Sequence, residues 1–165
     1  MKKLVMIVLS VLLVCTLGYF VLGGSKTVGK NVKEDDFKEF YYTYSSTVNP
    51  PEYQRYRIYT DGGKKMFYHE KRAGNNTFLT EEDITVAGDI ELTPEEWNTF
   101  WNLVSGGKVK NRRENVLAGG AGPWLYLYWN GDRDKCQEFS FENYEKEVAF
   151  EKYCVEIKEK AIKAN

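Results

Sequence analysis

Residues 53–71, YQRYRIYTDGGKKMFYHEK, decide the fold. Two runs rich in Tyr, with Ile58 in one and Phe67 in the other, flank Asp61-Gly62-Gly63. Aromatic and β-branched side chains suit a pleated, half-buried surface. A glycine-rich turn supplies the backbone angles that a tight hairpin needs. The stretch therefore reads as a strand over 53–60, a turn, and a return strand over 64–71. Pro50-Pro51 bounds it on one side, since proline cannot donate to a ladder. Before the prolines, residues 38–47 are rich in Tyr and Thr and read as a strand. After the hairpin, residues 73–83 are polar and turn-rich, and 84–92 read as a short strand interrupted by Gly88.

The next segment has helical punctuation. Thr93-Pro94-Glu95-Glu96 places an N-cap threonine, a proline at the first helical position and a glutamate three residues on. Trp97, Phe100, Trp101 and Val104 then recur on one face, and Gly106-Gly107 stops the run. A helix is predicted over 94–105. Residues 108–123 read as a basic, then glycine-rich connection. Residues 124–130 and 136–141 read as a second hairpin. A last helix spans about 143–163, with Phe150, Cys154, Ile157 and Ala161 on one face and its charges ordered as the helix dipole prefers. Hairpins and short connections favour an antiparallel sheet with helices to one side. The expected fold class is α+β: an N-terminal hydrophobic helix, then an antiparallel sheet of about six strands with two helices on one face.

Leu4 to Leu22 carry no charge and follow Met1-Lys2-Lys3. Nineteen residues at helical rise span roughly 28 Å, close to a bilayer core. Cleavable leaders have shorter apolar regions, about 7 to 15 residues. Residues 1–23 therefore read as a membrane anchor through 4–22, with a cleaved signal segment as the other reading. Residues 24–35 read as a polar linker, and 36–165 as an extracytoplasmic domain. The expected location is the cell membrane, single-pass with the domain outside, or secretion if the segment is removed. Cys15 follows Val14, where a lipid-attachment motif would have a small residue, so it reads as a membrane-helix cysteine.

Without residues 1–23 the chain has 21 basic and 24 acidic side chains, a net of −3. That balance gives no reason to expect nucleic acid. Gly24 to Lys30 spells G-x-x-x-x-G-K, but Asn31 stands where a phosphate loop needs Ser or Thr, and no strand precedes it. The single histidine, His69, sits mid-strand with no nucleophile motif beside it. The acidic groups at 34–36, 81–83 and 132/134 do not follow a calcium-loop pattern. No catalytic residue, metal site or cofactor is expected, and the chain does not read as an enzyme. Cys136 and Cys154 are a candidate disulfide in an exported domain, although strand alternation turns Cys136 away from the buried face if Phe139 and Phe141 point inward.

In strand 124–129, Leu125, Leu127 and Trp129 share one face, and Trp124, Tyr126 and Tyr128 the other. The aliphatic set is the expected core. The second set is a candidate ligand-binding row, because Tyr and Trp join a large apolar area to a polar handle. The alternative is that a helix or the Tyr-rich strand 38–47 packs over it. The run Trp124 to Gly131, with its closing helix and the earlier Pro-Glu-Glu-Trp helix, resembles small exported or membrane-anchored α+β proteins of Gram-positive bacteria. That resemblance implies export and fold type, and no activity. The expected function is a membrane-tethered extracytoplasmic binding or interaction module with a protein or cell-wall partner. An envelope-acting hydrolase and a structural subunit of a membrane complex are the alternatives.

Overall fold

The structure, a computed structural model, describes residues 25–46, 50–76, 78–111, 123–129 and 137–164. The apolar run at 4–22 lies outside them. Among the described residues no helix is long and apolar enough to cross a membrane.

Among the described residues eight strands form one antiparallel sheet: β1 (Lys26–Thr27), β2 (Phe37–Ser46), β3 (Glu52–Asp61), β4 (Lys64–Ala73), β5 (Ile84–Glu91), β6 (Lys108–Asn111), β7 (Trp124–Trp129) and β8 (Gln137–Ser140). Their spatial order is β1-β6-β8-β7-β2-β3-β4-β5. Strands β2 to β5 are a meander in chain order. Its central hairpin pairs Asp61 with Lys64 across Gly62 and Gly63, at φ 55° and 86°. Both angles are left-handed, which is why glycine fills both positions.

Two helices, α1 (Pro94–Val104) and α2 (Tyr144–Ala164), lie against the same sheet face. Phe40 meets Phe100 of α1 at 5.8 Å and Phe150 of α2 at 5.2 Å between ring centroids. A register shift after Phe37 lets Phe37 and Phe40, three residues apart, both reach that core. The capping box of α1 forms, with Thr93 N–H donating to Glu96 and Glu96 N–H to Thr93. Lys160 of α2 then pairs with Glu96, tying the helices together. Phe150, Cys154, Ile157 and Ala161 are all buried, as the helical spacing predicts.

The fold-class expectation needs correction. The sheet has eight strands rather than about six and is the dominant element. The two missed strands are β1, in the segment read as a linker, and β6, in the segment read as a connection. At two and four residues they are too short to show a period of two, and they exist because each has a ladder to join. Lys26 and Thr27 pair with Val109 and Lys108, and Lys108 to Asn111 pair with Ser140 to Gln137.

Val28 and Val32, also from the expected linker, are buried in the core. Between them Gly29 has φ 73° and its N–H donates to Val32 O at 3.0 Å. The described part of the G-x-x-x-x-G-K stretch, from Ser25 on, is thus an edge strand and a tight turn, with the amides of Thr27, Val28, Gly29 and Lys30 bonded within the chain rather than gathered as a phosphate cradle.

Candidate binding face

The face of the sheet away from the helices is polar and aromatic. Pleating alone decides its membership. On β7 it takes Trp124, Tyr126 and Tyr128, while Leu127 and Trp129 are buried on the helix side and Leu125 packs against the core. Trp124, Tyr126 and Tyr128 stand opposite Thr43, Tyr41 and Glu39 of β2. Those three oppose Arg55, Arg57 and Tyr59 of β3, which in turn oppose Glu70, Tyr68 and Met66 of β4. Rings and charges are thus interspersed across four adjacent strands.

The charges are partnered in a defined way. Arg57 pairs with Glu39 at 2.7 Å, and Arg72 with Glu70 at 2.5 Å in a buried contact. Tyr41 and Tyr68 donate their hydroxyls to Glu39 and Glu70, at 2.9 and 3.0 Å. The guanidinium groups also lie over rings, Arg57 at 4.2 Å from the Tyr59 centroid and Arg72 at 4.3 Å from that of Tyr53. Arg55 differs. Its Nε donates to Thr43 Oγ1 at 3.3 Å, and its guanidinium stands 5.4 Å from both the Tyr41 and Tyr53 ring centroids. Among the described residues no carboxylate pairs with it.

Arg55 stands in an open trough of about 580 Å³ over β7, β2 and β3. Trp124, Tyr126 and Tyr128 form one wall, Tyr53 and Arg55 the other, and Glu39, Tyr41, Thr43 and Ser45 the floor. All three ring residues singled out from the sequence therefore line one concavity. They are half-buried by neighbours on the same face, with Tyr41 edge-on to Tyr128 at 6.0 Å, and neither helix covers them. Burial, then the Glu39 carboxylate beside it, pushes the Tyr41 phenol up, and burial raises Tyr53. Burial and the bond to Glu70 push Tyr68 up to about 12. At neutral pH these phenols are protonated donors.

The remaining sequence candidates fall elsewhere. His69 is on the helix side, 3% exposed and stacked on Tyr56 at 5.0 Å, out of reach of a substrate. Cys154 is a buried free thiol, which leaves the expected bridge to Cys136 unsupported; Cys136 lies outside the described residues. Glu34 accepts from the Trp97 indole, and residues 81–83 are one capped turn behind Thr80. In the basic cluster, Lys110 pairs with Glu138 at 3.7 Å. Among the described residues no group of His, Cys, Asp or Glu is arranged to hold a metal ion.

No family model, curated protein or solved structure matches the chain. The geometry of the trough is therefore the basis for a functional reading. Sequence reasoning named only the β7 wall. It missed the opposite wall and floor, although the alternation Glu39, Tyr41, Thr43, Ser45 and the alternation Tyr53, Arg55, Arg57, Tyr59 are both visible. What it lacked was the placement of β7 beside β2, a pairing of segments distant in the chain.

Proposed function

We propose that this chain is a membrane-tethered extracytoplasmic binding module, and that it engages its partner through the trough over β7, β2 and β3. The observation that carries the reading is one sheet face with rings, hydroxyls and a guanidinium gathered in a concavity that neither helix covers. Such a face would cost less to leave polar and flat if it served only to meet water. Tyr, Trp and Arg are the residues that dominate binding energetics where they converge. The apolar segment at 4–22 and the resemblance to exported Gram-positive proteins support the tether and the side of the membrane. A wall polymer or a neighbouring envelope protein is the expected partner class.

The test is retention of the full chain, held in detergent micelles, on purified Gram-positive cell-wall sacculi and on immobilised envelope proteins. The double variant Trp124→Ala/Tyr126→Ser should lose at least about tenfold in retention while keeping a cooperative melt. A folded variant retained as well as the parent chain would overturn the assignment of this face.

A further inference from the structure

We infer that the trough takes an acidic polysaccharide, with a sugar carboxylate on Arg55 and sugar rings on the β7 wall. The inference rests on the proposed use of this face for binding and adds the chemistry of the ligand.

The charged groups at the trough point to an anion. Among the residues that line the trough Arg55 is the one cation and Glu39 the one carboxylate, and Glu70, directly across from Arg55 on β4, pairs with Arg72. Glu39 and Glu70 hold Arg57 and Arg72, and among the described residues no ion pair holds Arg55, whose guanidinium stands in the trough. A guanidinium has five donors in a planar fork, and the bond to Thr43 uses one of them. The remaining fork matches the two oxygens of a carboxylate. One guanidinium with Glu39 on the same floor fits a monoanion rather than a doubly charged phosphate ester.

The lining identifies the body that bears the charge. Trp124, Tyr126 and Tyr128 follow one another at two-residue steps along β7, roughly 7 Å apart. Their faces carry negative quadrupole density, which attracts the C–H faces of sugar rings. Thr43 and Ser45 set hydroxyls in the floor, Thr43 keeping its proton to donate while it accepts from Arg55, and the Tyr41 phenol, which donates to Glu39, can still accept from a sugar hydroxyl. A peptide strand is disfavoured by position. The trough lies over β7, β2 and β3, whose backbones are already paired on both sides, so no edge is offered for strand addition.

The experiment is calorimetric titration of the full chain in detergent micelles at about 0.15 M salt. The probes are a galacturonic acid hexamer, a neutral galactose hexamer and an acidic Glu/Tyr peptide. The acidic hexamer should bind at least about tenfold tighter than the neutral one. Arg55→Gln should remove that preference, bringing the affinity for the acidic hexamer down to that for the neutral one. Arg55→Lys, which keeps the charge and loses the fork, should retain only part of it, and it serves as the reading if Arg55→Gln melts early. Equal binding of the two hexamers, or a preference that survives in folded Arg55→Gln, overturns the carboxylate subsite. Binding of the peptide alone overturns the glycan. No binding of any probe overturns the inference while the proposed function stands, provided retention on sacculi or envelope proteins still depends on Trp124 and Tyr126. Retention indifferent to those rings removes both.

Discussion

His69 makes the stability of this domain depend on acidity. Its ring is stacked on Tyr56 at 5.0 Å, with Nε2 3.4 Å from Gln54 Oε1 and Nδ1 buried without a partner. Burial, then Lys158 of α2 and Lys71 of β4, lowers its pKa from 6.5 to about 4, against a small upward pull from Glu70. The folded state thus disfavours the proton that the unfolded chain accepts. The neutral ring's contribution is fully present above about pH 6.5 and is lost as pH falls through the window from 6.5 to about 4. Between about pH 7.5 and pH 5 the two protonation equilibria differ by about 2 kcal/mol. Carboxylate titration falls mainly below that interval. Urea unfolding at the two pH values gives the loss directly. The same measurement on His69→Phe, of similar volume and unable to titrate, should show a loss smaller by about 2 kcal/mol. Equal losses in the two proteins would mean that the folded state takes up the proton at ordinary cost, and that the ring is wetter than its packing implies.

Three further outcomes test the packing. A chain beginning at Lys33 lacks β1, Val28 and Val32, and two buried valines are worth about 3 kcal/mol or more; its urea midpoint should fall accordingly against a chain beginning at Gly24. Gly107→Ala would drive a methyl group into the Phe139 ring and to 2.8 Å from the Ser140 carbonyl oxygen, costing about 1–3 kcal/mol. Gly106→Ala meets only the movable end of Glu142 and should cost less in the same thermal melts. Cys154 is fully buried and burial holds its thiol well above the usual range, so a thiol reagent should label it slowly in the native protein and rapidly in urea; rapid native labelling would show that the core opens beneath α2.

Elements with their own local signals were legible in the sequence. The helix behind Thr93-Pro94 runs to Val104, and the hairpin around Asp61-Gly62-Gly63 forms with each strand longer by a residue or two than its alternation suggested. The sorting of strand 124–129 into a core face and a ring face is also as pleating requires. The rest depended on partners. Strands β1 and β6 have no pattern of their own and are ordered by pairing with each other and with β8. The trough was half legible for the same reason. Its β7 wall is local, whereas Arg55 belongs to it only because β2 lies between β3 and β7.

That last adjacency has a consequence for how the chain acquires its shape. Strands β2 to β5 and α1 lie in one continuous stretch, so their contacts close over short loops and can form early. The other edge of β2 must wait for residues 124–129, more than eighty positions further along the chain. Closing so long a loop is slow relative to hairpin formation. During synthesis, then, Phe40 and Tyr42 border an open ladder edge until most of the chain has been made. A chain that stops short of Trp124 keeps that edge, and it would recruit other unfinished copies before it recruited water.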